Sequence, residues 1–318
     1  MNSYRLYLYV PLVVLMVSLQ GVVSLVYADE TASGKKWSPR FTFEVRPDHS
    51  RTLARFDALV PLWQKHNALF FSDVRYIDTS GTGMEGNLGM GYRQLRHDLP
   101  LFGVDWIWGG YAFFDRRKTL LENYFSQVTV GGELLTPDWS FRTNGYFPDK
   151  TGYVVGSTST LGGGPTLSGT TVVSGADGST IIDKEWALPG FDVEAGYRFS
   201  TLPDHALWLY AGYFYFDRAE TKEISGPRAR LEYRIHDLFN WMGSEITLGA
   251  EVRDDAIGGT DGLVLARLSI PIGKTPEFPA QGFERRMTEF IQRDVDVVTL
   301  VETDKITGAG SPGPIVDP

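Results

Sequence analysis

The sequence contains no cysteine. That excludes disulfides, thiolate metal sites and a cysteine nucleophile together. It is also short of positive charge. Thirty Lys and Arg stand against 39 Asp and Glu, a formal net charge of −9, which disfavours nucleic acid as a partner. Histidine is scarce. His49, His66, His97, His205 and His236 all fall in predicted turns or strand ends, and none makes a metal-ligand spacing. No cofactor is expected. Beyond the N-terminus no apolar run is long enough for a membrane helix, and the mean hydropathy is below zero, so a polytopic helical membrane protein is excluded. Glycine (35) and proline (17) are plentiful and argue against an all-helical fold. Aromatic residues are plentiful too, with 15 Tyr, 19 Phe and 8 Trp, a supply that suits girdles at a membrane interface.

The N-terminus reads as an export signal. Arg5 precedes the apolar run Leu6–Gln20, and Val26-Tyr27-Ala28 is a small-residue cleavage site before Asp29. The alternative is an uncleaved anchor, since Leu6–Tyr27 is long enough to span. Removing residues 1–28 takes away only Arg5 and moves the net charge from −9 to −10. Residues 29–40 are expected to be a short periplasmic leader.

From Phe41 onward the chain alternates with period two, which a strand produces and a helix does not. The clearest unit is Phe191–Phe216. In its first strand Phe191, Val193, Ala195, Tyr197 and Phe199 share one face, and Asp192, Glu194, Gly196 and Arg198 the other. Twelve such strands are predicted between residues 41 and 273. They begin at Phe41–Val45, Ala54–Leu62, Ala68–Ile77 and Gly86–Gln94, and end at Ile224–Ile235, Ser244–Arg253 and Gly262–Ile272. Trp106–Phe114 is aromatic on both faces, so its orientation stays open. Pro148–Lys184 is rich in Gly, Ser and Thr and is expected to be a long loop, with a small hairpin near Thr170–Val173. A face of charge and glycine on strand after strand fits a transmembrane barrel with a wet interior. The predicted fold is therefore all-β, a twelve-stranded antiparallel transmembrane β-barrel. Closure pairs every backbone group in lipid and removes the sheet edges. With the first strand running outward, the long loop lies outside and the turns Gln64–Asn67, Thr136–Asp138 and Leu202–His205 inside, as barrels require.

Alternation also predicts what lines the lumen. Arg93, Arg142, Arg198, Arg228, Arg230, Arg234, Arg253 and Arg267 are expected to face Glu133, Asp192, Glu194, Glu232 and Glu251. Paired, they hold the wall and any plug; unpaired, they tune a pore's ion selectivity. Gly89, Gly91, Gly131, Gly196 and Gly249 are expected to leave room there for a plugging segment. After the last strand, Phe283–Gln292 reads as a short amphipathic helix and Arg293–Glu302 as an extended stretch. Residues 303–318 read as a disordered tail.

Nothing in the chain assembles a catalytic constellation. Asp48-His49-Ser50 is the only local cluster of the type a phospholipase barrel needs, and it sits in a turn. Gly162-Gly163-Gly164 lacks the strand–helix context and the Lys of a phosphate loop. Asp254–Asp261 lacks the regular alternation of oxygen ligands that Ca²⁺ needs and reads as a hairpin. No enzymatic activity is expected.

Six segments together resemble the β-domain of inverse autotransporters, the intimin/invasin family: Gly86–Gln94, Gly109–Arg117, Val130–Pro148, Leu188–Phe199, Trp208–Asp217 and Gly226–Asp237. The resemblance runs from about residue 41 to about residue 302. It implies a twelve-stranded outer-membrane barrel with both barrel ends periplasmic, and a linker (residues 274–302: a pore helix, then an extended stretch) that re-enters the pore and carries a passenger outward. Typical members use that passenger as an adhesin. The partners it implies are outer-membrane lipid, the barrel assembly machinery, periplasmic chaperones and an unidentified surface receptor. No immunoglobulin-like or lectin passenger and no peptidoglycan-binding module stand in these 318 residues, so the expectation is a barrel-only relative or a truncated product. The alternative is a pore or structural barrel that translocates nothing and presents residues 148–184 at the surface.

Overall fold

The computed structural model describes residues 36–47, 52–79, 83–97, 103–160, 166–168, 171–173, 179–199, 204–219, 221–237, 241–273, 280–294 and 296–307. The predicted export signal, Asp48-His49-Ser50, Gly162-Gly163-Gly164 and the predicted tail after Thr307 lie outside them.

The alternation of the sequence becomes a closed barrel. Its first seven strands are β1 (Arg40–Pro47), β2 (Thr52–Lys65), β3 (Ala68–Thr79), β4 (Gly83–Arg96), β5 (Trp106–Lys118), β6 (Tyr124–Leu135) and β7 (Trp139–Pro148). Four strands then leave the wall: β8 (Gly152–Thr160), β9 (Thr166–Ser168), β10 (Thr171–Val173) and β11 (Ser179–Ala187). The wall resumes with β12 (Gly190–Arg198), β13 (His205–Phe216), β14 (Ile224–His236), β15 (Glu245–Asp255) and β16 (Gly259–Pro271). Every neighbouring pair is antiparallel, β12 lies against β7, and β1 closes on β16 from Arg40↔Pro271 to Val45↔Ala266. A 3-10 helix, Gly282–Thr288, and a last strand, β17 (Thr299–Thr307), follow the barrel.

The barrel is inside-out relative to a soluble protein. In β14, Leu231 is 46 % exposed while its neighbours Arg230 and Glu232 are 1 % and 0 % exposed. Leu88, Met90, Phe114, Val130, Val193 and Leu248 repeat the outward pattern on other strands. A wall that buries charge and exposes large apolar side chains has lipid for its solvent. Outward aromatic residues cluster near the strand ends, with Trp139, Phe141 and Tyr197 in contact at one rim and Phe191 and Tyr215 stacked at the other.

The ambiguous strand β5 is now placed. Ile107, Tyr111 and Phe113 are buried inward, whereas Trp108 and Phe114 face out. Inward rings need space, and the glycines supply it. A Cβ at Gly89 would collide with Phe113, at Gly91 with Phe71, at Gly131 with Tyr111, and at Gly196 with Tyr210; at Gly249 it would crowd Leu265. The expectation that these glycines leave room for a plug is corrected: the room is filled by side chains of neighbouring strands, lying flat on the wall.

The two rims differ. One carries both barrel ends, Arg40 and Pro271, and its longest connection is 97–105; we call it the terminal rim. The other carries the connection 149–189 and is the loop rim. That connection is not a loop: β8 and β11 pair as a long hairpin, and β9 pairs with β10.

Candidate functional site

The lumen is occupied by the chain's own C-terminal segment. It starts at the terminal rim, where the 3-10 helix is tied to the barrel ends. Lys36 Nζ lies 2.5 Å from Glu284, Trp37 Nε1 donates to the Glu284 carbonyl at 3.2 Å, and Arg285 Nη2 donates to Asp237 at 2.7 Å. Burial pushes the Asp237 carboxyl up, but the Arg285 hydrogen bond and the Gly243 N–H outweigh it and hold the group below the usual carboxylate range. Arg286 Nη1 donates to the carbonyls of Thr136 and Trp139 at 2.5 and 3.0 Å. The predicted helix over Phe283–Gln292 is corrected to this shorter one. From Met287 on, the carbonyls find partners in the wall instead: Arg93 Nη1 donates to those of Met287 and Glu289 at 3.0 and 2.7 Å. Carbonyls bonded this way do not require a helix.

Past the helix the segment runs extended through the charge belt. Glu289 accepts from Arg142, Arg234 and Arg286 at 3.0, 2.8 and 2.6 Å. The Phe290 ring is caged by the guanidinium groups of Arg55, Arg75 and Arg267, at 4.2, 4.7 and 4.6 Å from its centroid. Arg293 makes a two-pronged contact with Asp115, at 2.8 and 3.2 Å. The Asp294 N–H donates to Tyr146 Oη at 2.7 Å, and the Val297 N–H to Glu85 at 2.8 Å. Arg117 pairs with Asp296 at 2.9 Å and donates to the Val297 carbonyl. At the loop rim Val298 and Leu300 pack against Tyr146, Leu188, Phe214 and Phe216. Beyond it β17 pairs with β11 as the third strand of a small sheet, order β17-β11-β8. One segment, 282–307, thus enters at the terminal rim and ends beyond the loop rim. The extended part was expected over 293–302 and the tail from 303; instead the strand starts at Thr299 and continues to Thr307.

The wall around this segment is a nearly closed circuit of opposite charges. Glu44 on β1 lies 2.7 Å from Arg55 on β2 and 2.6 Å from Arg267 on β16. Arg267 reaches Glu232 on β14 at 3.7 Å, and Arg230 there bridges Glu232 and Glu194 on β12 at 3.1 and 2.7 Å. Arg142 on β7 follows, 3.7 Å from Glu194 and from Glu133 on β6, and Arg93 on β4 lies 2.5 Å from Glu133. Each carboxylate here holds two or more guanidinium groups, which compensates charges taken out of water.

Of the thirteen predicted lumen charges, Arg93, Glu133, Arg142, Asp192, Glu194, Arg228, Arg230, Glu232, Arg234, Glu251 and Arg267 are buried inside. Arg228 lies 3.7 Å from Asp192, and Glu251 3.5 Å from Arg230. Two predicted members lie at the strand ends, outside the charge circuit. Arg253 is at the end of β15 near the loop rim, partly exposed, paired with Asp261 at 3.5 Å. Arg198 ends β12 at the terminal rim, has no ion pair among the described residues, and lines a cavity of about 370 Å³ beside the helix. Arg253 sits where its strand leaves the barrel, so facing inward no longer means facing the lumen there; Arg198 still faces inward, onto a cavity it shares with Arg234, Glu289 and Phe290. The predicted charge network leaves out the other half of the circuit: Arg55, Asp57, Asp73 and Arg75, which the alternation already places on inward faces, and Glu44, Arg46, Asp115 and Arg117 are equally buried. It also missed Glu289 and Arg293, whose signal lies outside the strands.

The comparisons with known proteins agree with this architecture. The family model described as "Inverse autotransporter, beta-domain" matches residues 34–265. No curated protein matches. Among solved structures, the membrane protein of a study on in-meso crystallization is 14 % identical with a TM-score of 0.57, covering 84 % of this chain and 100 % of its own. The β-domain of the Bordetella autotransporter BrkA is 13 % identical with a TM-score of 0.32, covering 74 % and 99 %. The NanC porin is 9 % identical with a TM-score of 0.39, covering 74 % and 100 %. At 14 % identity a TM-score of 0.57 marks a common fold and nothing finer. The family match spans the barrel from before β1 into β16, and its fold places the protein in the outer membrane: the chain belongs to the inverse autotransporter β-domain family.

Proposed function

We propose that this barrel is a translocator of the intimin/invasin type, which inserts in the outer membrane and threads its C-terminal linker to the cell surface. One observation carries the reading: segment 282–307 traverses the whole lumen and ends beyond the rim with the long hairpin. Long connections lie outside and short turns in the periplasm in barrels of this kind, so the terminal rim is periplasmic and β17 is extracellular. The lumen charges have a structural role here. Together with Tyr146 they line the lumen with fixed donors and acceptors that bond part of the linker's backbone, at Met287, Glu289, Asp294 and Val297, where it has no strand partner.

On this reading residues 1–28 are a cleaved export signal, residues 29–40 a periplasmic leader and residues after Thr307 an exported tail. The partners are outer-membrane lipid, periplasmic chaperones and the barrel assembly machinery, with any surface receptor met by what the linker carries. Glu289, Phe290 and Arg293 fill the lumen, which speaks against an open channel; no enzymatic role is proposed.

The test is a short epitope after Pro318 in the full chain. Antibody labelling of intact cells is the expected result. Labelling only after permeabilisation, with the barrel confirmed in the outer membrane, would leave the tail periplasmic and overturn the proposal in favour of a barrel that translocates nothing.

A further inference from the structure

The sheet outside the barrel gives the translocator reading a device. Alone, β8 and β11 form a two-stranded hairpin, which is marginal in water. Their pairing is also interrupted, with a register shift at Asp183/Lys184. The pairing of β11 with β17 has no such break: nine successive partners run from Ala187↔Thr299 to Ser179↔Thr307. The linker, then, supplies the more regular half of the sheet. Side chains add a second layer. Lys184 Nζ lies 3.4 Å from Asp304, and Thr303 Oγ1 donates to Asp183 at 2.6 Å. Trp186, opposite Leu300, lies over Gly152 of β8, and the Arg218 guanidinium sits 4.9 Å from its centroid.

Direction matters most. Thr299 pairs at the base of the hairpin, beside Leu188, whose N–H donates to the Val298 carbonyl at 2.9 Å. Thr307 pairs at Ser179, eight positions further from the base along β11. Residues leaving the lumen in chain order therefore meet their partners in order, base first. A ladder of main-chain bonds forms one residue at a time, like a zip, and asks little of side-chain identity.

We infer that the β11 edge of this hairpin is a capture site for the chain's own emerging linker, and that strand addition there holds the linker outside and makes export directional. The inference rests on the translocator reading. It assigns the function of connection 149–189 to receiving the linker rather than to binding a receptor.

The experiment uses the full, tagged chain with two changes. In the first, residues 152–187 are replaced by a short Gly/Ser turn, and tag labelling on intact cells is followed after induction while the heat-induced gel shift reports the folded barrel. Labelling of the intact hairpin protein with several-fold slower and lower labelling of the shortened one, at equal amounts of folded barrel, is the expected result. Equal labelling of both would overturn capture and leave translocation standing. No labelling of either would overturn translocation and this inference with it. The second change keeps the hairpin, in case the shortened barrel does not fold. The chain has no cysteine of its own, so the double variant Lys184→Cys/Glu302→Cys tests one register pair directly. A disulfide forming in step with tag exposure supports capture. No disulfide in that pair, or equally ready cross-linking of the out-of-register pair Lys184→Cys/Thr307→Cys, would mean that the ladder does not exist on the cell surface.

Discussion

Glu289 is one carboxylate among three guanidinium groups, and the residue on which the plug turns. Replacing it by Gln leaves Arg142, Arg234 and Arg286 facing a neutral amide. Removing one partner from a buried ion cluster costs about 3–5 kcal/mol, because the remaining charge has nowhere to go. We expect E289Q to insert and fold but to show brief openings in planar bilayers where the unaltered protein is closed. Indistinguishable conductance traces would refute that role. The glycines give a second contrast between residues of one type. Gly131 lies under the ring of Tyr111 and beside Asn144, whereas Gly110 faces outward with nothing nearer to its missing Cβ than 3.8 Å. Overpacking at such a site costs about 1–3 kcal/mol. Gly131→Val is expected to lower the unfolding free energy from urea titration by that order, and Gly110→Val to leave it nearly unchanged.

Among the elements, the wall was the easiest to read and the plug the hardest. All twelve wall strands follow from alternation, because lipid outside and charge inside select residues at opposite ends of the polarity scale. Only β5 resisted: Tyr111 and Phe113 point inward, where charge was the expected signal, and what admits them is glycine on β6 and β4. The hairpin β8–β11 read as a loop because both its faces meet water, which leaves alternation no contrast to work on. The plug's helix is shorter than its spacing predicts for a related reason. Phe283, Met287, Phe290 and Ile291 do repeat at helical spacing, yet Arg93 takes the carbonyls of Met287 and Glu289. A tertiary bond of that kind leaves no trace in local sequence. The helix is latched by Arg285 to Asp237, whose carboxyl is held below the usual range. Its unfolded value is about 3.9, so the contribution is present above that pH and is lost as pH falls through the folded value. Hydrogen exchange in segment 282–294 should therefore accelerate as pH falls below about 4, beyond the change in intrinsic exchange rate, and Asp237→Asn should remove that excess. An excess that persists in the variant would place the latch elsewhere.

For the whole molecule, the two sides of the wall set different tolerances. Leu231 faces lipid near the middle of β14, between Arg230 and Glu232 inside. An arginine on the lipid face near the bilayer midplane costs about 2–4 kcal/mol. Leu231→Arg should lose stability of that order in vesicles, although it adds a residue type already abundant a few ångströms away. A negligible loss would mean that β14 does not face lipid there. The central claim concerns the segment that crosses this wall's interior, and the absence of cysteine makes it directly measurable. Single variants Gly282→Cys and Thr307→Cys stand at the two ends of the threaded segment. Intact cells are treated with a membrane-impermeant maleimide, then permeabilised and treated again. The account predicts that the cysteine at 307 reacts in intact cells and the one at 282 only after permeabilisation. If both react only after permeabilisation, the linker has not crossed, and the lumen holds its own tail as a plug without delivering it.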